Sequence, residues 1–136
     1  MEELLNPEGQ PPSDGDLAQR HLIGGKLGNG VMESQGLWMH RMITTPRPLE
    51  EKMTLFWHSI LCTGDAKVDH GRTTDTHISL LREHALGYIR DMLLALSRDP
   101  AMVIYLANRC SHKDAPNENY GRELLELFSM GGNYTE

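Results

Sequence analysis

Hydrophobic residues recur every three or four positions along most of the chain beyond Glu33, and prolines, glycines and polar loops separate the runs. This spacing is typical of one face of an α-helix. No stretch keeps the alternation of apolar and polar positions that a half-buried strand shows. The pattern therefore predicts an all-α fold, an irregular bundle of about five helices with a disordered N-terminal tail.

Punctuating residues set the limits of the five helices. The predicted segments cover residues 33–45, 48–61, 74–97, 100–108 and 117–130. Pro48 and Pro100 suit the first turn of a helix, and Asp99 and Asn117 are suitable capping residues. Gly87 lies inside the third segment, where a helix-weakening residue predicts a kink or a close helix contact.

The second segment carries an apolar stripe at helical spacing. Its members are Leu49, Met53, Phe56 and Ile60, with Trp57 on the flank. Such a stripe is predicted to face the core. Glu51 and His58 share the opposite side, and we expect His58 to be exposed there. A metal or proton-transfer role for His58 requires a second layer of protein on that side.

The first 36 residues show a different pattern. Residues 6–16 are rich in Pro, Gly, Ser and Asp, and they have too little apolar surface to offset the entropy of ordering. The glycines between Gly24 and Gly36 indicate flexible backbone, since no phosphate-loop frame with Lys-Ser or Lys-Thr is present. We therefore divide the chain into a mobile tail and Gly-rich segment, 1–36, and a helical domain, 37–136.

Charge and composition narrow the function. Thirteen Lys and Arg against nineteen Asp and Glu give a formal net charge of -6, which argues against nucleic-acid binding. No apolar run approaches the roughly 20 residues of a membrane span, and the first residues lack the pattern of a secretion signal. Two cysteines, Cys62 and Cys110, do not form a disulfide framework, and we expect free thiols.

Polar residues on the last two long segments are the main candidates for chemistry. Arg122 and Glu126 are four residues apart and can form an ion pair on a solvated face. Glu123 borders the apolar side of its helix, so its carboxylate needs a partner. Arg82 projects into the apolar side of the third segment, where an unpaired guanidinium is costly. We therefore predict a structural ion pair between Arg82 and Glu123.

No metal or cofactor site is predicted. The seven histidines form no HExxH or HxH pattern and no paired ExxH motifs. A serine nucleophile motif of the GxSxG type is also absent. His84, at the edge of the apolar side of the third segment, is interpreted as a hydrogen-bonded core histidine.

Three long strings of the chain carry a resemblance to a known family. They are PRPLEEKMTLFWH at 46–58, LLREHALGYIRDMLLALSRDPAMVIYL at 80–106 and APNENYGRELLELFSMGGNYTE at 115–136. These strings resemble an uncharacterised bacterial family, catalogued as domain of unknown function number eighteen hundred. The family pattern falls on Trp57, His58, Arg82, His84, Gly87, Asp91, Arg98, Asp99, Pro100, Asn117, Glu118, Asn119, Arg122, Glu123 and Glu126. Relatives usually carry a histidine at position 60, where this chain has Ile60, so a His-x-His pair is absent.

The resemblance implies a longer protein. Relatives continue with further helices beyond the NYTE segment, so the chain resembles a fragment. Its expected partner is the missing C-terminal part of the same protein. Many relatives are exported, which implies an envelope or extracellular setting. The first hypothesis is a helical module that acts in assembly or binding. The alternative is a hydrolase site, completed by the missing helices, in which carboxylates act as acid and base or as metal ligands. Its candidate residues are Glu123, Glu126, Arg122, His58 and His84.

Overall fold

The computed structural model describes residues 9–11, 30–68 and 70–131, and this part of the chain confirms the predicted all-α fold. The helices are α1 (Val31–Thr44), α2 (Pro48–Ile60), α3 (Asp65–Val68), α4 (Gly71–Glu83), α5 (Ile89–Leu96), α6 (Pro100–Tyr105) and α7 (Asn119–Glu126). A 3-10 turn, Asn108–Cys110, lies between α6 and α7. Within these ranges the only bridge of β type is an isolated antiparallel one between His112 and Ala115.

The predicted start signals act as expected at α6, and at α7 the predicted cap lies one residue ahead of the N-cap. Asp99 caps α6, because its carboxylate accepts a hydrogen bond from the backbone N–H of Met102 at 3.0 Å, and Pro100 occupies the first turn. At α7 the N-cap residue is Glu118 rather than the predicted Asn117, and its side chain makes no cap hydrogen bond. One residue earlier, the side-chain oxygen of Asn117 accepts from the backbone N–H of Asn119 at 3.0 Å. Local side-chain chemistry therefore determines where α6 begins and acts just ahead of α7.

The third predicted segment is two helices rather than one. It begins at Gly71, ahead of its predicted start at residue 74, and α4 ends at Glu83. A turn follows, in which the N–H of Gly87 donates to the carbonyl of His84 at 3.0 Å, before α5 begins at Ile89. Glycine is a poor helix former, and the predicted kink at this position is a complete break.

The N-terminal boundary also differs from the prediction. The first helix begins at Val31, two residues before its predicted start at Glu33, and both positions lie inside the segment assigned to the tail and Gly-rich region, 1–36. Most of the predicted tail, 6–16, and the glycines before Gly30 lie outside the described residues. Of that tail, Gln10 is described, and its backbone carbonyl accepts from the Arg47 guanidinium at 2.8 Å.

The hydrophobic core centres on α4, which packs against α1, α2, α5 and α6. Its fully buried members are Leu61, Leu81, Met92, Leu96, Met102 and Leu106. Partly buried aromatic side chains close the core at its edge: Trp57, Tyr105, Tyr120 and Phe128. In helix α6, Ala101 and Met102 are inaccessible to solvent, whereas Val103, Ile104 and Tyr105 are half-buried and Pro100 is exposed.

Helix α2 has the opposite orientation to the one predicted. Its buried side carries Glu51 and Thr54, whereas Phe56 and Ile60 of the predicted core stripe are 49% and 37% exposed. The hydroxyl of Thr54 donates to the carbonyl of Glu50, so its hydrogen-bonding capacity as a donor is satisfied without water. A helical-wheel projection based on hydrophobicity alone predicts the wrong buried side for α2, because polar groups that have hydrogen-bond partners can also be buried.

Helix length and apolar composition determine whether a helix can span a membrane. Among the helices of the described part of the chain, none is both long enough and apolar enough to cross a bilayer.

Candidate functional site

Glu51 is the centre of the first buried polar cluster. Its side chain, on α2, accepts hydrogen bonds from three residues on α1 and α4. Arg82 donates from Nε to Oε1 at 2.6 Å and from Nη2 to Oε2 at 3.3 Å. Arg41 donates from Nε to Oε1 at 2.7 Å, and the indole of Trp38 donates to Oε2 at 3.0 Å. These donors replace water around a carboxylate residue that is only 3% exposed.

The predicted ion pair between Arg82 and Glu123 is therefore corrected. Arg82 is paired, as its position among apolar residues requires, but its partner is Glu51. Glu123 instead accepts from Nη2 of its neighbour Arg122 at 2.7 Å. The physical reason is that α4 packs directly on α2, and α2 turns its carboxylate inward.

A second buried cluster joins His77 and Asp99. The Nδ1 atom of His77 lies 2.8 Å from Oδ2 of Asp99, and Nε2 lies 3.0 Å from the carbonyl oxygen of Leu61. A carbonyl only accepts, so Nε2 is the donor to Leu61, and Nδ1 faces the Asp99 carboxylate. His77 and Asp99 are almost completely buried. The pair thus ties α4 to the start of α6 and the end of α2.

His58 lies between the two clusters. Its ring meets Trp38 edge-on with centroids 5.0 Å apart, and it meets His77 edge-on with centroids 6.0 Å apart. A connected series of polar and aromatic side chains therefore runs through the core from Glu51 to Asp99. The side predicted to expose His58 is instead the side of α2 that packs on α1 and α4.

Sequence reasoning missed His77. It lies on α4 four residues before the buried Leu81 and next to the buried Ile78. This spacing places His77 on the apolar side of the helix, so the signal for a buried histidine was present. Its partner Asp99 was identified only as a helix cap.

The predicted site residues of α7 form one polar network, in which Arg122 and Glu126 are exposed and Glu123 is largely covered. Arg122 donates from Nη1 to Glu126 at 2.9 Å and from Nη2 to the side chain of Asn119 at 2.7 Å. Nη2 also reaches Glu123. The predicted pair of Arg122 and Glu126 is thus confirmed.

The remaining candidates lie elsewhere. His84 lines an open groove along α4 that also includes Arg72, Asp75, Thr76, Ser79, Leu80, Glu83 and Ala95. His58 belongs to the buried series between Glu51 and Asp99. The five predicted catalytic candidates therefore occupy three places: the core, this groove and helix α7.

Glu123 also lines a smaller cleft, of about 130 Å³. Its walls come from the end of α2, from α3, from α6 and from α7. The lining residues are Ile60, Cys62, Lys67, Tyr105, Leu106, Asn119, Glu123, Leu127 and Phe128. The ammonium of Lys67 donates to the backbone carbonyl of Tyr105 at 3.3 Å and lies 5.0 Å from the centroid of that ring. This cleft is thus lined by a carboxylate, an ammonium group and apolar side chains.

Histidine, cysteine and acidic side chains are the potential metal ligands of the described ranges. No three His, Cys, Asp or Glu side chains there come together in a way that could hold a metal ion. Cys62 and Cys110 are exposed free thiols, as expected.

One ionisable group near the core has a shifted pKa. Burial raises the pKa of Tyr120 above its ordinary value of 10.0, because desolvation disfavours the phenolate. Its hydroxyl donates to the carbonyl of Leu93 at 3.3 Å. The phenol therefore holds α7 against α5 in its neutral form.

These features define a small all-α domain organised around buried polar clusters. Residues 12–136 match the sequence model of the family described as "Protein of unknown function (DUF1800)", and the chain belongs to this family. The match confirms the resemblance of the three strings. Searches of curated proteins and of solved structures found no match.

Proposed function

We propose that this chain is a helical module of a larger protein and acts in assembly, with the outward face of α2 as its docking surface. The observation that carries the proposal is the orientation of α2. This helix turns Glu51 and Thr54 inward and leaves Phe56 and Ile60 substantially exposed. An exposed apolar stripe on an otherwise well-packed helix is typical of a surface that another element covers.

The outward stripe of α2 has two exposed members, Phe56 and Ile60, and two half-buried members, Leu49 and Met53. Leu49, Met53, Phe56 and Ile60 follow one another at intervals of four, three and four residues, which keeps them on one side of α2. No charged residue interrupts the stripe. A helix that packs on both sides lies in the interior of a larger helical assembly.

The proposed occupant is a further helix of the same, longer protein. The family resemblance implies relatives that continue with helices beyond position 136. An apolar stripe on a helix is complementary to the apolar side of another helix, and ridges and grooves on both determine the crossing angle. A net charge of -6 makes an acidic polymer a poor alternative occupant.

The hydrolase hypothesis has less support. It requires His58 and Glu123 to share a site, within reach of a hydrogen bond or one water. His58 contacts Trp38 and His77, whereas the lining of the cleft at Glu123 includes neither His58 nor His84. This separation favours the assembly role over a site that combines these residues.

Thiol labelling tests the proposal in the longest protein that the genomic reading frame encodes. In a background of Cys62→Ser and Cys110→Ser, the variant Phe56→Cys should react with a maleimide much more slowly in the folded, monomeric protein than in urea. Met32→Cys is the control, because Met32 is 85% exposed on α1. Equal labelling rates at the two positions in the folded monomer would overturn the proposal.

A further inference from the structure

The cleft at Glu123 adjoins the outward stripe of α2. Ile60, the last residue of α2, belongs to the stripe and also lines the cleft. Phe56 precedes it by one helical turn, so the two exposed side chains are neighbours on the same side of α2. Leu127, at the end of α7, lines the same cleft and is 63% exposed. The exposed apolar surface therefore continues from α2 to α7 by way of the cleft.

The charged groups of the lining already have partners inside the protein. Lys67 donates to the carbonyl of Tyr105 at 3.3 Å, and its ammonium lies 5.0 Å from the centroid of that ring. Glu123 accepts from Arg122 at 2.7 Å, and its side chain is only 15% exposed. Because neither charge requires a charged ligand, a polar group that entered the cleft would lose its hydration without an evident new partner. The lining therefore favours an apolar occupant.

The size of the cleft limits that occupant. Its volume is about 130 Å³, and its apolar walls include Ile60, Leu106 and Phe128. A cavity of about 150 Å³ holds one molecule of benzene. A leucine or methionine side chain has fewer non-hydrogen atoms than benzene and fits, whereas an indole ring has more and does not. One aliphatic side chain is thus the body that matches both the volume and the walls.

We propose that the helix that docks on α2 inserts one leucine or methionine side chain into this cleft as its anchor. The inference rests on the proposed function, and it adds the place and the type of side chain by which the docking helix is held. A helix in an apolar groove binds through side chains that are one or two turns apart, and the cleft lies one turn beyond Phe56. An anchor in a pocket that excludes water contributes a large share of the affinity of such a contact.

The native thiol of Cys62 reports on the occupancy of the cleft. Cys62 lines the cleft and is exposed, and Cys110 is a second exposed thiol that does not line it. The test uses the folded monomer of the longest protein that the reading frame encodes. There, a maleimide should label Cys62 roughly tenfold more slowly than in urea, because burial of a leucine-sized side chain favours the docked state by at least that factor. Cys110 should be slowed much less, and equal slowing of the two thiols would overturn the proposal.

The labelling results separate this proposal from docking at α2. Protection of Phe56→Cys together with rapid labelling of Cys62 would leave the docking surface in place and refute the anchor. Rapid labelling at both positions would refute the docking surface as well. Protection of Cys62 that increases with protein concentration would identify a second copy of the chain as the occupant, and it would also overturn the proposal.

A substitution at the edge of the cleft tests whether the anchor is apolar. Leu127→Asp places a charge beside the anchor and should accelerate the labelling of Cys62 in the longer protein by roughly tenfold. The matched control is Leu94→Asp, because Leu94 is 54% exposed on α5 and does not line the cleft. Circular dichroism confirms that both variants are folded. Unchanged protection of Cys62 in folded Leu127→Asp would contradict an apolar anchor.

Discussion

Arg82 on α4 donates from Nε to Oε1 of Glu51 on α2 across 2.6 Å, and the two residues are 31 positions apart in the chain. Arg41 on α1 donates to the same oxygen at 2.7 Å. One carboxylate therefore joins three helices, and two guanidinium groups depend on it. Because a buried charge is tolerated only when it is paired, Glu51 is a point of high sensitivity in the fold.

Removal of the Glu51 carboxylate should destabilise the protein severely. Glu51→Ala leaves two arginines without their shared partner, and breaking a buried pair costs about 3 to 5 kcal/mol. Urea denaturation measures the change in the free energy of unfolding. Trp38→Phe is a milder variant that removes only the indole donor to Glu51, and we expect a loss of about 1 kcal/mol.

Glu50→Ala is the matched control on the same helix. Glu50 pairs with Arg47 at 3.4 Å near the surface, and such pairs contribute about 0 to 1 kcal/mol. Equal destabilisation by Glu50→Ala and Glu51→Ala would show that Glu51 does not have the central role assigned to it.

The orientation of α2 makes a prediction that opposes its hydrophobic pattern. Leu61→Ala should cost about 2 to 5 kcal/mol, because Leu61 is fully buried in the core. Phe56→Ala should cost less than about 1 kcal/mol in the 136-residue chain, because Phe56 is substantially exposed. Thermal melts of the two variants test this order. A larger loss for Phe56→Ala would mean that the apolar stripe of α2 faces the core.

A helical-wheel projection assigned the wrong buried side to α2, because it treats every glutamate and threonine as outward-facing. Glu51 is buried because donors from α1 and α4 converge on it, and no local pattern contains that information. The same long-range dependence explains why Arg82 was correctly expected to need a carboxylate but was assigned Glu123. Pairing across helices depends on the packing, which a single-helix projection does not represent.

Local signals performed better where one residue acts on its immediate neighbours. Asp99 and Pro100 start α6, and the side chain of Asn117 accepts from the N–H of Asn119 just ahead of α7, because the groups that they satisfy lie within three residues along the chain. Gly87 marked the position where a long segment breaks into α4 and α5. The cleft at Glu123 was not predictable, since its walls come from four elements that are distant in sequence.

Asp99 combines a cap with a partner for a buried histidine, and two substitutions separate these roles. Asp99→Ala removes the acceptor of Met102 N–H and the partner of His77, so we expect a loss of about 2 to 4 kcal/mol. Asp99→Asn keeps an oxygen for the cap and should cost less. Denaturation of both variants, with the exposed Asp91→Ala as control, tests the order. Equal losses for the Ala and Asn variants would exclude a contribution from the retained cap.

Tyr120 should make the free energy of unfolding depend on pH in the alkaline range. Its pKa is raised above 10.0 by burial, so the unfolded chain loses this proton first as the pH rises. The folded state should therefore lose stability as the pH rises above about 10, with no effect of this group at lower pH. Tyr120→Phe should flatten this alkaline slope, whereas Tyr88→Phe should not, because Tyr88 is 81% exposed. Identical slopes for the two variants would contradict the assignment.

Two glycines near the C-terminal end of the described chain should respond in opposite directions to the same substitution. Gly121 lies inside α7, and a Cβ added there meets no atom within 4 Å. Gly121→Ala should therefore stabilise the protein by up to about 1 kcal/mol, the difference in helix propensity. Gly131 has a φ of 64°, a left-handed conformation that disfavours a side chain by roughly 1 to 2 kcal/mol. Gly131→Ala should be destabilising, and thermal melts that move in the same direction for both variants would contradict the backbone assignments of this segment.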